Sequence, residues 1–516
     1  MAAVGRTLIG RGALRRRRSW RRRSNAHPGA GRRASHPHHP ASCPHVRCRP
    51  HRDRRWGRRR RRLAADRRPS TRPASPPEPV SLDSGPEPPR SDHAQTDRTG
   101  RCHRSSRPDP QEPVGVTAVS IVGARCLTAS GLEALTLTFE GDTITSLSPA
   151  EPSGSAPPRN PDGTAAIDAS GLVLSPGLID LQINGGYGHD LQDDPGAVWD
   201  LGRELPRSGV TAFLPTIISG PGSRNRSMLD ALKARPAGYC GAEPLGAHFE
   251  GPMINPRHAG AHRHEHLTGA REDVIDGWHR SAGVALVTIA PELDNAHDVI
   301  GELTRRGIVV AAGHSAATAD ETRAAIAAGV STVTHLFNAM APLGHRSPNL
   351  VGVALTDPRL TVTMIVDGVH IDPIAVAAAW TAKRPAGLGL VTDAVAAMGQ
   401  PPGPYRISGT PTVFDGVSVR TADGVLAGSA VTMNQAAANL AEFTGCERHE
   451  ALAAATSVPA GIIGEKGRGR LIPGAVADLV LLDDDYRVHA TVCAGRVAHV
   501  NGAARHRFPE SLVQVS

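Results

Sequence analysis

Lysine is missing from the first 113 residues of this 516-residue chain, and aromatic residues make up only 3% of the whole. The seven cysteines are scattered, with no Cys-x-x-Cys pair. That spacing gives no sign of a disulfide framework and fits a reducing compartment, so a cytoplasmic protein is expected. No apolar run reaches the roughly 18–20 residues that a membrane-spanning helix needs, so no membrane partner is expected. The N-terminus is basic but lacks an apolar stretch with a cleavage site, which argues against a secretory signal. What is abundant instead is Ala, Gly and Val, a composition suited to an α/β protein with tightly packed parallel strands.

The formal net charge of +9 hides two opposite halves. Before Val114 there are 29 Arg and 9 acidic residues, a net of +20, whereas the remainder carries 29 basic and 40 acidic residues, a net of −11. A nucleic-acid partner therefore cannot be argued from the whole chain, only from the extension. Residues 1–113 are rich in Arg, Pro, His and Ser and cannot bury enough apolar surface to offset chain entropy, so disorder is expected. A solvated tail, a start assigned too far upstream (Val114, Val116 or Val119 read from a valine-type codon) and a tail for nucleic acid or an acidic partner are the three readings. Cys43, His45, Cys48 and His51 match no standard finger spacing.

Order is expected from about Val116. Val119–Val122, Leu135–Phe139 and Ile144–Leu147 alternate at period two and predict antiparallel strands. From Gly177 the texture changes to eight apolar runs: Leu178–Asn184, Val210–Ile217, Pro244–Glu250, Ala285–Ala290, Ile308–His314, Val333–Leu336, Leu360–Val366 and Leu388–Asp393. Helical segments such as Thr318–Ala328 and Ile374–Lys383 lie between them. Eight such units predict a closed (β/α)8 TIM-like barrel over 176–400, with its chemistry at the C-terminal strand ends. A hairpin at Val413–Arg420 and helices at Val431–Thr444 and His449–Thr456 fill 401–470. Period-two strands return in 471–516 and find their simplest partner in 114–175, giving a small β-sandwich domain built from both chain ends.

The polar residues at the strand ends carry the chemistry. Glu250 closes the third run, His314 the fifth and His335 the sixth. One carboxylate and two imidazoles are a common ligand set for a hydrolytic metal, leaving a position open for water. A capping glutamate and two hydrogen-bonded core histidines are the plainer alternative, and the three together favour coordination. One divalent metal is expected, Zn²⁺ by ligand type with Fe²⁺ as the alternative. Asp393 closes the eighth run, where a carboxylate can take a proton from water and return it to a leaving amine. An N-cap is the plainer role. The first run carries Gln182 and Asn184 where many barrel hydrolases carry His-x-His, and the fourth ends Thr288-Ile289-Ala290-Pro291 with no lysine to bridge two ions. Both absences point to a single metal. Arg346 and His370 are candidate anion-binding groups, Arg346 also reading as a solvated loop charge. His262 can polarise a carbonyl, a weak signal beside His264 and His266.

Six motifs occur in order: Pro176–Gly185, His248–Pro252, Ala312–Ser315, Thr334–Met340, Asp367–His370 and Thr392–Ala394. Through them the chain resembles the N-acetylglucosamine-6-phosphate deacetylase family of the amidohydrolase superfamily, over about Val116 to Val500. The resemblance implies hydrolysis of the acetamide of N-acetylglucosamine 6-phosphate, in amino-sugar catabolism and recycling. By the same likeness Glu250, His314 and His335 hold the metal, Asp393 is general base and then acid, and His262 polarises the acetyl carbonyl. Asn338, the backbone at Ala339, and His370 would contact the sugar phosphate. Arg346 matches an arginine that reaches the neighbouring subunit's phosphate, which implies a homodimer. Gln182 marks the single-metal branch and is carried as a substrate-binding position. Another N-acyl sugar phosphate, such as the galactosamine epimer, is the near alternative. A nucleic-acid-associated protein acting through the Arg-rich segment is the alternative of another class.

Overall fold

The computed structural model describes residues 118–150 and 165–513. The Arg-rich segment, including Cys43 to His51, lies outside the described residues, as do residues 151–164. Within the described residues eight parallel strands follow one another: Leu178–Ile183, Val210–Ile218, Ala247–Glu250, Val284–Ile289, Val309–Ala312, Val330–Val333, Thr361–Met364 and Leu388–Leu390. Each pairs with the next in chain order. The first, second and fourth are buried along their whole length, which explains why they read as continuous apolar runs and not as alternating ones. The intervening helices carry clear start signals. Ala319–Ala328 opens on a capping box between Thr318 and Glu321, and Pro373–Lys383 opens on Asp372 with proline in its first turn.

The eighth strand returns to the first, but the described residues show no ladder between them. The seam closes at the rim, where Ile183 bridges Ala394, the Asn184 N–H donates to the Ala394 carbonyl at 2.8 Å, and the Asp393 N–H donates to the Gln182 carbonyl at 2.9 Å. Lower down, the Ile179 N–H donates to the carbonyl of Ala455, just beyond a C-terminal helix. The architecture is a TIM-like barrel.

A second, nine-stranded sheet uses both ends of the described chain. Leu479–Leu482 pairs antiparallel with Val173–Pro176, joining the late strands to the early ones. The ten-residue strand Gly131–Glu140 serves both halves of this sheet. Its first four residues pair with Arg125–Thr128 and its remainder with Val119–Val122 and Thr143–Pro149. Ile121, Leu137, Ile144, Leu174 and Leu481 share a core there, separate from that of the barrel.

The expected hairpin at Val413–Arg420 is part of a larger arm, a three-stranded antiparallel sheet of Gly403–Ile407, Thr410–Phe414 and Val419–Thr421. Its first strand holds Gly403 and Pro404; proline is tolerated there because the strand is an edge. Ile407, Phe414 and Val419 pack on Val395, Ala397 and Ala427, with Ala261 beside them. Arg224 donates to the Ser408 hydroxyl at the arm's first turn across 2.9 Å.

Candidate active site

Glu250 is the last residue of the third barrel strand, and Gly251 follows at φ +81°. His314, His335 and Asp393 lie just past the ends of strands five, six and eight. Their φ values are +51°, +31° and +49°, in the left-handed region that side-chain-bearing residues seldom occupy. Such conformations cost on the order of 1–3 kcal/mol each and persist where the surroundings over-determine them. Here they let the chain leave a strand and turn its next polar side chain into the barrel mouth.

The three side chains converge. Glu250 Oε1 lies 3.1 Å from His314 Nε2 and 2.9 Å from His335 Nε2, and the two Nε2 atoms are 3.1 Å apart. Ligand atoms about 2.1 Å from a common tetrahedral ion lie roughly 3.4 Å from each other, so the spacing fits one ion with little adjustment. The donor chemistry fits as well. His314 Nδ1 is 2.8 Å from the His258 carbonyl oxygen, which can only accept; Nδ1 therefore carries the proton and Nε2 presents its lone pair inward. Burial alone would raise the Glu250 pKa, but the imidazoles of His262, His314 and His335 packed around it outweigh that and hold the carboxyl well below its usual range. A charged carboxylate and inward imidazole nitrogens are what a divalent cation needs.

Asp393 accepts from Asn184 Nδ2 at 2.7 Å and from Gln182 Nε2 at 3.2 Å. Burial, then the negative charge of Glu250, pushes it up to about 6. It is thus poised to exchange a proton near neutral pH. His262 accepts the Ser219 N–H on Nδ1 at 3.2 Å, with the Ser219 hydroxyl 2.8 Å from the same atom. Its proton must then sit on Nε2, which lies 3.6 Å from Glu250. Burial pushes His262 down to about 4, so it is neutral at pH 7 and able to donate to a carbonyl oxygen.

These groups open onto a cavity of about 460 Å³, within the size range of small-molecule sites. Of the ten positions singled out from sequence, eight line it: Glu250, His262, His314, His335, Asn338, Ala339, His370 and Asp393. Gln182 does not. It is buried behind Glu250 and donates to that carboxylate at 2.9 Å. Arg346 does not line it either and is exposed on the loop after the sixth strand. Sequence reasoning assigned no role to four contributors. Asn184 lines the cavity and grips Asp393. Asp367 orients His370 through a 2.7 Å contact with Nδ1. Ile407 and Arg420 bring the arm to the cavity wall. The Asp-Gly-Val-His spacing held a signal for Asp367; nothing in the sequence tied the arm to the barrel mouth.

The Amidohydrolase family model matches residues 173–498. The chain is 39% identical over 345 residues to the N-acetylglucosamine-6-phosphate deacetylase of Danio rerio, covering 64% of this chain and 85% of that protein. It is 36% identical over 332 residues to the N-acetylgalactosamine-6-phosphate deacetylase of Escherichia coli O157:H7, covering 63% and 88%. Among solved structures, N-acetylglucosamine-6-phosphate deacetylase from Pasteurella multocida superposes with a TM-score of 0.68 at 28% identity. That match covers 74% of this chain and all of the other.

Proposed function

The chain belongs to the amidohydrolase family, beside the N-acetylglucosamine-6-phosphate deacetylases, and we propose that it hydrolyses N-acetylglucosamine 6-phosphate to glucosamine 6-phosphate and acetate. One observation carries this reading: a Glu250–His314–His335 cluster spaced for a single ion, with the Asp393 carboxylate held beside it. Amide hydrolysis needs a strong nucleophile at neutral pH and a protonated leaving amine. Glu250, His314 and His335 would hold a divalent ion, which would supply a water of pKa about 7 and a Lewis acid for the carbonyl. Asp393 takes the proton from water and returns it to the departing nitrogen. His262, neutral and protonated on Nε2, donates to the acetyl oxygen as negative charge develops there. Asn184 and Gln182 keep Asp393 aimed, so Gln182 serves from behind the cavity wall. Asn338, the backbone at Ala339 and His370 bind the sugar phosphate.

Zn²⁺ suits one carboxylate and two imidazoles, with Fe²⁺ the alternative of similar fit. Arg346 faces solvent in its own subunit, which supports its placement against the phosphate of a neighbouring subunit in a homodimer. Free Cys126, Cys240, Cys446 and Cys493 support a reducing, cytoplasmic setting, and among the described residues no helix is long and apolar enough to cross a membrane. The Escherichia coli relative favours one second reading, the galactosamine epimer as substrate.

The test is acetate release by the purified full chain, with metal content read on the same sample. The substrates are N-acetylglucosamine 6-phosphate, its galactosamine epimer and unphosphorylated N-acetylglucosamine. Release from the first alone, with about one ion per chain, is expected for a site with a single ion. Equal turnover without the phosphate would remove Arg346 and His370 from their roles. Preference for the second would move the substrate to the epimer.

A further inference from the structure

Asp180 is fully buried in the first barrel strand, and none of the roles above uses it. It lies two and four residues before Gln182 and Asn184, so all three side chains share one face of the strand. Its carboxylate makes three contacts. Oδ2 accepts the Thr392 hydroxyl at 2.5 Å, and Oδ1 accepts the N–H groups of Thr392 and Gln182, each at 3.2 Å. It therefore spans the seam between the first and eighth strands, beneath the rim and where the described backbones form no ladder.

The contacts run on to the reacting group. Thr392 is the neighbour of Asp393. Its hydroxyl also accepts the Ala394 N–H at 3.2 Å, and its carbonyl accepts the Ser429 hydroxyl at 2.6 Å. On the other strand the Gln182 carbonyl accepts the Asp393 N–H, while its side chain donates to the Asp393 carboxylate. Asp393 holds a left-handed backbone, which persists only where neighbours enforce it. Asp180 grips two of the residues that hold it, Thr392 and Gln182.

We propose that Asp180 is a positioning residue for the deacetylation: by clasping Thr392 and Gln182 it holds Asp393 at the angle its proton transfer needs. The inference rests on the function proposed above. Asp180 touches neither the cavity nor the ligand cluster, so its loss acts on kcat through Asp393 and leaves substrate and metal binding in place.

The test compares wild type, Asp180→Asn, Thr392→Val, Thr392→Ser and the Asp180→Asn/Thr392→Val pair for kcat, KM, metal content and Tm. Asp180→Asn and Thr392→Val are expected to lower kcat about tenfold to a hundredfold, as small misplacements of reacting groups do. KM is expected to stay within about twofold, the pattern of an interaction needed only in the transition state. Thr392→Ser keeps the hydroxyl and is expected to retain activity. The double variant is expected to lose no more than the worse single one, because one contact is removed twice. Full kcat in a folded, metal-replete Asp180→Asn, or additive losses in the pair, overturns the proposal. Crystal structures of wild type and Asp180→Asn read the same question without turnover. The Asp393 carboxylate is expected to leave Asn184 in the variant, and an unmoved Asp393 overturns the proposal. An inactive wild type sinks the functional reading alone, since the crystallographic arm still decides this one.

Discussion

His314 Nδ1 and the backbone carbonyl oxygen of His258 lie 2.8 Å apart, and that one bond decides which imidazole nitrogen is left for an ion. The carbonyl comes from the loop after the third strand, the strand that ends in Glu250. Two of the proposed ligands are thus fixed relative to one another by a contact that itself binds nothing. His314→Ala or His335→Ala is expected to leave two ligands and to lose the bound metal, read by elemental analysis of the purified variant. Full occupancy in either would sink the ligand assignment.

Asp393→Asn keeps the shape of the side chain and removes the proposed base. General acid–base groups contribute about 10²–10⁴-fold, and a loss of kcat in that range is expected with the metal still bound. The acidic side of the pH profile carries the second half of this prediction. Burial and the charge of Glu250 push Asp393 up to about 6, and a base works only above its pKa, so kcat falls as pH drops through that value. A bound dication favours the carboxylate and moves the limb to lower pH, never to higher. His262, pushed down to about 4, stays neutral and adds no limb between pH 5 and 8. Unchanged turnover in Asp393→Asn would take this residue out of the mechanism.

Much of this site was legible in the sequence because a barrel concentrates its chemistry at strand ends. Glu250, His314, His335 and Asp393 each close an apolar run, and eight runs of that kind fix the topology that gathers them. Contacts across the seam were not legible. Asp180 lies in the first strand and Thr392 just past the eighth, and the two meet only once the barrel closes, so no local pattern links them. The arm was half seen, since Gly403 and Pro404 mimic a turn in a strand whose edge position tolerates them. Gln182 was read as a substrate contact from its place in a motif. Strand periodicity aims it inward, but depth is a tertiary property, and the structure sets it behind Glu250.

Arg346 offers a test of assembly that does not depend on sizing. If its guanidinium serves the neighbouring subunit, Arg346→Ala cripples phosphate binding everywhere, and Asp393→Asn cripples chemistry in its own subunit. Each homodimer is then nearly silent at low substrate. A mixed dimer holds one complete site, in the Arg346→Ala subunit, served by the intact arginine of its partner. Random reassociation of equal amounts makes half the dimers mixed, so recovery to about a quarter of wild-type turnover is expected for a two-fold interface. Mixtures that stay at the level of the parents would return Arg346 to a solvated loop charge.

Stability of the junction between the two domains turns on Asp478, which is 3% exposed. Its carboxylate receives the Arg468 guanidinium and, on Oδ1, the Ala494 N–H at 2.7 Å. Its carbonyl accepts the Gly177 N–H at 2.8 Å, where the small sheet hands over to the first barrel strand. The Arg468 side chain is only 14% exposed, so removing its partner strands a poorly hydrated cation. Asp478→Ala is expected to destabilise the protein by about 3 kcal/mol, the lower end for a broken buried pair. Denaturant unfolding reads the change, and kcat of the folded variant is expected to hold because the pair lies away from the cavity. Replacing both residues together, Arg468→Met with Asp478→Leu, removes the stranded charge and is expected to recover most of that loss. A loss below about 0.5 kcal/mol in Asp478→Ala would mean that the pair behaves as a solvated surface bridge.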